Sequence, residues 1–203
     1  MKYILIILLF GSTNEISAQV DRFNNVFIKG QYLSKDSSTY SGLLKVYLTQ
    51  KGKLKFKSDT NAKTKKLAPN EIYGFKIDTI EFKSLTNVEV YGAFGKTKKV
   101  KSCFGEIVTK GEVDGYIVYF GDYNAISGDN QIYLNLLIEF ENNQISIPLY
   151  HRIKKKKFVQ VKELIKSFFK NKTSVIASIE SMGRENGFGE MIEIVRSINN
   201  IQE

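Results

Sequence analysis

The spacing of apolar residues changes once along this chain of 203 residues. Over residues 25–150 apolar and polar residues mostly alternate, which is the two-residue period of β-strands. From Lys155 onward apolar residues recur at three- and four-residue steps, which is the period of a helix. Short turns join most of the strand-like runs, and this favours antiparallel pairing. We therefore expect an α+β fold, in which a curved antiparallel sheet of hairpins is followed by amphipathic C-terminal helices packed on it.

Residues 51–58 predict the clearest strand. Leu54 and Phe56 share one parity, and the other parity holds only lysines, namely Lys51, Lys53, Lys55 and Lys57. Because side chains alternate across a strand, this segment has one solvent-exposed face and one buried face. Residues 40–49 predict the preceding strand of a hairpin, with its turn at 50–52. Further strands are predicted at residues 80–82, 88–90, 116–120, 132–140 and 144–149.

Two other local patterns bear on the fold. Pro69 suits the first position of a single helical turn, which would direct Ile72 into the core. In the tail, three apolar stripes predict three helices. Their members are Phe158, Val161, Leu164, Ile165, Phe168 and Phe169 in the first; Val175, Ile176 and Ile179 in the second; and Phe188, Met191, Ile192, Val195 and Ile198 in the third.

The first eighteen residues have the layout of a secretory signal peptide. Lys2 gives a basic start, residues 3–10 are an unbroken apolar run, and the following polar stretch reaches the small residue Ala18. Eight helical residues extend about 12 Å, far less than the ~30 Å of a hydrocarbon core. We therefore expect cleavage near Ala18, export to the periplasm, the outer membrane or the exterior, and no transmembrane segment in the mature chain.

Composition limits the partners of an exported chain. The net charge is +9, so anionic envelope polymers, lipid headgroups or an acidic protein are the expected partners, and export excludes nucleic acid. Cys103 is the only cysteine, so no disulfide forms within the chain, and we expect a small buried side chain there. We expect no cofactor.

Several motifs resemble functional sites without completing one. Gly95-Lys96-Thr97 lacks the upstream glycine of a phosphate-binding loop, because Val90 stands at that position. The loop at residues 121–130 carries oxygen ligands for calcium at Asp122, Asn124 and Asp129, but it departs from the EF-hand pattern, so we interpret it as a polar hairpin loop. No triad or metal pair accompanies the only histidine, His151. The carboxylate pairs Glu112 with Asp114 and Glu139 with Glu141 are expected on solvated surface.

Two segments are strongly basic. Residues 45–66 hold eight lysines against Asp59 alone, and residues 151–172 hold Arg152 and eight lysines against Glu163 alone. Four lysines at the start of a helix oppose its dipole. We predict an anion-facing surface, with a merely solubilising face as the alternative. Its residues are Lys51, Lys53, Lys55, Lys57, Arg152, Lys154, Lys155, Lys156 and Lys157.

The order of these features resembles an uncharacterised group of exported proteins from Bacteroidetes-type bacteria. The strings that carry the resemblance are Ser17-Ala18-Gln19, Phe27-Ile28-Lys29-Gly30-Gln31-Tyr32, Gly42-Leu43-Leu44, Leu54-Lys55-Phe56-Lys57, Pro69-Asn70-Glu71-Ile72-Tyr73-Gly74-Phe75 and Val195-Arg196-Ser197-Ile198-Asn199. The resemblance implies export and a host with two membranes, and it implies no mechanism.

The chain is thus expected to comprise a signal peptide (1–18), a β-rich region (19–150) and a helical region (151–203) that packs on the sheet in a single domain. The predicted function is a non-enzymatic binding module of the envelope or the secreted fraction, with a basic surface. One alternative is a periplasmic carrier that holds an apolar ligand between sheet and helices, next to the strand at residues 116–120. A hydrolase of unknown substrate is the third hypothesis.

Overall fold

The computed structural model describes residues 26–47, 53–124, 128–149, 154–184 and 188–200. These residues form ten strands followed by three helices, which confirms the predicted α+β fold. The strands are β1 (Ile28–Ser34), β2 (Thr39–Tyr47), β3 (Lys53–Lys57), β4 (Lys65–Leu67), β5 (Ile72–Ile77), β6 (Ile80–Tyr91), β7 (Thr97–Thr109), β8 (Asp114–Asn124), β9 (Asp129–Phe140) and β10 (Asn143–Pro148). The helices are α1 (Lys155–Phe168), α2 (Thr173–Ser181) and α3 (Met191–Asn200). None of the helices in the described ranges has the length and apolar content to cross a bilayer.

All ten strands belong to one antiparallel sheet in the order β10-β9-β8-β7-β6-β5-β1-β2-β3-β4. The sheet curls so that β9 and β10 approach the end of β6 through side chains. Asn135 of β9 accepts a hydrogen bond from the Tyr91 backbone N–H at 2.7 Å and donates one to the Tyr91 carbonyl at 3.1 Å. Ser146 of β10 donates to the Glu89 carbonyl. The curl is therefore held by side chains, and no ladder among the described strands closes the sheet.

Asn87 interrupts β6 between the two segments that were predicted as separate strands. Leu85 lies opposite Cys103 and Val88 opposite Val100, while Asn87 has no partner in the ladder and adopts φ +55°. Asparagine tolerates this left-handed conformation better than most residues. The register of the ladder is the same on both sides of Asn87, so no residue is inserted there, and Leu85 and Val88 are both buried.

Two apolar cores lie on opposite faces of the β6–β10 half of the sheet. The larger core joins the inward residues of most strands to the helices, for example through the stacked rings of Phe158 and Phe188, whose centroids are 4.8 Å apart. The smaller core fills the inside of the curl. Its buried members are Leu85, Val88, Val90, Cys103, Tyr116, Val118 and Leu137.

The structure corrects three local predictions. Pro69 does not begin a helical turn; it lies in a four-residue turn in which the Glu71 N–H donates to the Ala68 carbonyl at 3.0 Å, although Ile72 is buried as predicted. Leu164 was assigned to the core but is 48% exposed on α1. Four strands had no individual prediction: β1, β4, β5 and β7.

Candidate anion-binding surface

Five lysines of β2, β3 and β4 share one outward face, which we call the lysine face: Lys45, Lys53, Lys55, Lys57 and Lys66. Lys45 lies directly opposite Lys55, and Lys55 lies directly opposite Lys66, so three ammonium groups form a row across three strands. The alternate residues of these strands, such as Leu44 and Leu54, are fully buried in the larger core. Because the register is fixed by that apolar set, the lysines cannot leave the row by a slip of one residue.

Aromatic rings lie between these lysines. The Tyr47 ring centroid is 5.1 Å from Lys55 Nζ and 5.4 Å from Lys45 Nζ, and the Phe27 ring centroid is 5.3 Å from Lys57 Nζ. Lys55 Nζ also donates a hydrogen bond to the Tyr47 hydroxyl at 3.3 Å. Hydrogen bonding from Lys45, and secondarily from Lys55, lowers the pKa of the Tyr47 hydroxyl. The rings offset part of the like-charge repulsion through cation–π attraction.

Within the described ranges, the lysine face contains no ion pair. Other lysines of the sheet are paired with acids: Lys76 with Glu81 at 3.1 Å, and Lys98 with Asp122 at 2.6 Å. Like charges directly opposite each other in a sheet destabilise it. The row therefore costs the fold some stability and leaves several cations available to an external anion.

The structure places the predicted site residues in two groups. Lys53, Lys55 and Lys57 belong to the lysine face, as their alternation predicted, while Lys51 and Arg152 lie outside the described residues. Lys57 Nζ also reaches the Thr60 carbonyl at 3.2 Å. The second group stands at the start of α1 and comprises Lys154, Lys155, Lys156 and Lys157.

The later lysines of the second basic segment have structural partners. Lys162 Nζ donates to the carbonyls of Glu180 and Met182 at the C-terminal end of α2, at 2.8 and 3.2 Å. Lys172 pairs with Glu112 at 2.6 Å. Lys166 pairs with Glu163 and Glu180, and hydrogen bonds to Glu180 and Glu163 raise its pKa. This part of the segment connects elements of the fold.

The only cysteine, Cys103, is not exposed. Cys103 is buried in the smaller core, as predicted, and burial raises the pKa of its thiol to about 12. Such a thiol stays protonated and unreactive at neutral pH. His151 lies outside the described residues.

The predicted polar hairpin loop joins β8 to β9, with Asn124 opposite Asp129 at its base. The carboxylate of Asp122 accepts a hydrogen bond from the Ala93 N–H at 3.0 Å and pairs with Lys98. The side chains of Asn124 and Asp129 lie outside the described part of the structure. Asp122 thus connects two neighbouring hairpins, a role that its sequence context did not indicate.

The two carboxylate pairs lie together, which the sequence did not predict. They line an open groove of about 430 Å³ at the β8–β10 end of the sheet, whose acids are Glu112, Asp114, Glu139 and Glu141. Lys83 Nζ lies 3.2 Å from the Glu139 carboxylate and 4.0 Å from that of Asp114. Lysines therefore compensate three of the four acids, counting the Lys172–Glu112 pair. Among the described residues no cluster of three or more acids, histidines or cysteines has metal-binding geometry.

One further titratable residue, the buried Glu106, could not be identified from the sequence. Glu106 of β7 is 8% exposed and lies on the face of the sheet that α3 covers, where its carboxylate accepts a hydrogen bond from the Tyr119 hydroxyl. Burial raises the pKa of Glu106, although the Tyr119 hydrogen bond and the charge of Arg196 oppose that rise. Glu106 borders a second open groove of about 340 Å³ at the β6–β7 surface.

Comparisons of the chain with protein-family models, with curated protein sequences and with solved structures find no match. The resemblance to exported proteins of Bacteroidetes-type bacteria therefore stays a prediction.

Proposed function

We propose that this protein is an exported, non-enzymatic binding module of the bacterial envelope or secreted fraction, which holds an anionic polymer on its lysine face. The observation that carries the proposal is the row of Lys45, Lys55 and Lys66, which has no acidic partner among the described residues. A row that served only for solubility would gain from interspersed acids, because alternating signs remove cross-strand repulsion.

The spacing of the row suits a polymer better than a single small anion. Neighbouring strands lie about 4.8 Å apart, so the three lysines extend over about 10 Å and meet several acidic groups of one chain. Tyr47 and Phe27 lie between the ammonium groups and supply apolar surface against which sugar rings pack. An acidic polysaccharide of the cell surface meets both requirements.

The packing of the interior favours this function over an apolar carrier. The strand segment that the carrier hypothesis assigned to a ligand is occupied by the protein's own cores: Tyr116, Ile117, Val118 and Tyr119 are each at most 5% exposed. The rings of Phe140, Phe168 and Phe169 pack against each other where α1 covers the sheet. The two grooves described above are open and bordered by acids.

Retention on immobilised alginate, a carboxylated polysaccharide, tests the proposal. We expect the full chain to bind at low ionic strength and to elute steeply with salt, since exposed charges are screened over about 10 Å at 0.1 M. Lys55→Glu places an acid between Lys45 and Lys66, and we expect at least a tenfold loss of affinity. Lys170→Glu is the matched control, because it changes the net charge equally on an exposed loop residue outside the lysine face.

Two results would contradict the proposal. Retention that does not change with salt would exclude an electrostatic polymer site. An equal loss in Lys55→Glu and Lys170→Glu would mean that net charge, and not the row, attracts the polymer. Export is tested separately by N-terminal sequencing of the protein from its own host, where we expect the first residue to follow Ala18.

A further inference from the structure

The turn between β6 and β7 presents an exposed phenylalanine, and we call residues 92–96 the hairpin tip. Phe94 is 58% exposed, more than any other large apolar residue in the described ranges. It also has φ +58°, a left-handed conformation that is unfavourable for a residue with a Cβ. An exposed apolar side chain on a strained backbone is not explained by the packing of the core, and it points to a role outside the folded interior.

Hydrogen bonds hold the hairpin tip in this shape. The Gly92 N–H donates to the Lys96 carbonyl at 2.9 Å, and the Gly95 N–H donates to the Gly92 carbonyl at 3.2 Å. Asp122 of the neighbouring hairpin accepts the Ala93 N–H, and a Cβ on Gly92 would clash with an Asp122 carboxylate oxygen. The ring of Phe94 therefore projects from a rigid support.

Cations surround the hairpin tip. Lys96 is exposed within the tip, and Lys99 is exposed near the start of β7, where it lies directly opposite Glu89. Lys157 Nζ lies 4.9 Å from the ring centroid of Tyr91, the residue directly before the tip, and this contact brings the first turn of α1 to the same end of the molecule. That turn adds the exposed Lys154, Lys155 and Lys156.

The fold supplies no reason for those lysines. The first turn of α1 contains no acid, and its cap residue Lys154 makes no side-chain capping bond. Positive charge at a helix N-terminus opposes the macrodipole, so each lysine there weakens the helix slightly. An external anionic surface would compensate both the dipole and the mutual repulsion of the lysines.

We propose that this end of the molecule docks on a bilayer that contains anionic lipid, with the Phe94 ring inserted among the headgroups and the surrounding lysines contacting phosphates. A convex apolar tip ringed by flexible cations fits a fluid, negatively charged surface, which requires no complementary shape. The docking goes beyond polymer binding, because it uses other residues than the lysine face. The two surfaces together would hold a polymer next to a membrane.

A tryptophan placed at the tip reports insertion directly. The chain has no tryptophan, so Phe94→Trp creates a single fluorophore. With vesicles of phosphatidylcholine and phosphatidylglycerol we expect a blue shift and quenching by brominated acyl chains, and with phosphatidylcholine alone no change. Tyr73→Trp is the matched control, since Tyr73 is 46% exposed and also has a lysine, Lys35, over its ring at 4.3 Å.

This readout is specific for the tip, so binding through the apolar run at residues 3–10 does not imitate it. Unchanged tryptophan fluorescence of the Phe94→Trp protein on the anionic vesicles would overturn the proposal. An equal shift on phosphatidylcholine alone would overturn it as well. The same holds for an equal shift in the Tyr73→Trp protein, because its fluorophore lies away from the tip.

Measurements of affinity for the anionic vesicles separate the contribution of the Phe94 ring from that of the lysines. Phe94→Gly suits the left-handed backbone, so it keeps the fold, and we expect about tenfold weaker partition into the anionic vesicles. Replacing Lys154, Lys155 and Lys156 by glutamine should weaken partition about fivefold for each residue. Phe94→Gly should leave retention on alginate unchanged, so failure of this proposal and failure of the polymer proposal are distinguishable.

Discussion

The chain has two lysine-rich segments of similar composition, and the fold uses them differently. On β2–β4, Lys45, Lys55 and Lys66 face each other across neighbouring strands with no acid between them. In the second segment, Lys162 binds the carbonyls at the end of α2, and Lys172 pairs with Glu112. The first set adds repulsion to the sheet, and the second set connects helices to one another and to the sheet.

The difference shows that the role of a lysine depends on what distant parts of the chain bring to it. Glu112 lies far from Lys172 in the sequence, and the α2 carbonyls become neighbours of Lys162 only when α1 and α2 pack. A local count of charges treats both segments alike. The comparison therefore predicts opposite effects on the free energy of unfolding. Removal of a connecting lysine lowers it, and removal of a lysine from the row raises it.

The largest expected effect concerns Glu106, a buried acid that has no lysine partner among the described residues. Tyr119→Phe removes the hydroxyl that donates to Glu106 and should lower the free energy of unfolding by about 2 kcal/mol at neutral pH. Burial raises the pKa of Glu106, so the folded state binds its proton more tightly than the unfolded state. Stability linked to Glu106 is then full at low pH and is lost as pH rises from the ordinary carboxyl pKa through the raised value.

The pH dependence of the stability deficit in Tyr119→Phe shows whether Glu106 causes it. The Tyr119 hydrogen bond lowers the pKa of Glu106, so Tyr119→Phe raises that pKa further, and its deficit should grow with pH. Urea unfolding of both proteins at acidic and neutral pH measures this. In a Glu106→Gln background the deficit should no longer vary with pH. A deficit of equal size at both pH values in the Glu106 protein would show that lost packing, and not the carboxylate, is responsible.

Lys162→Met tests the connecting set. Methionine keeps an unbranched apolar chain, so the change mainly removes the ammonium that binds the Glu180 and Met182 carbonyls. We expect a loss of about 1 kcal/mol in the free energy of unfolding, the scale of a cation at a helix C-terminus. Lys170→Met, on an exposed residue two four-residue steps later, should change it by less. Equal losses would mean that general charge reduction matters more than the carbonyl contacts.

These contacts also show what the sequence could and could not predict. Alternation placed Lys53, Lys55 and Lys57 on one solvent-exposed face, and apolar runs located the strands β9 and β10, because both signals are local. The row of Lys45, Lys55 and Lys66 needs the register of three strands, which depends on the packing of Leu44 and Leu54 below it. The start of β7, Thr97-Lys98-Lys99-Val100-Lys101, has too few apolar residues to show a period. No local signal in the sequence marks Phe94 as exposed, since its exposure follows from the positions of Asp122 and Gly92.

The smallest effect, and the sharpest test of the comparison, is Lys55→Gln. Lys55 lies between Lys45 and Lys66, so a neutral side chain of similar length removes two like-charge contacts at once. We expect the free energy of unfolding to rise by about 0.5 kcal/mol at low salt, and the gain to shrink as salt screens the row. The Tyr47 ring opposes this gain, because it loses one of its two cations. Chemical denaturation at two salt concentrations measures the balance. A loss of stability, or a gain that salt does not reduce, would show that the aromatic contacts outweigh the repulsion and that the row is a stable part of the fold even without an anion.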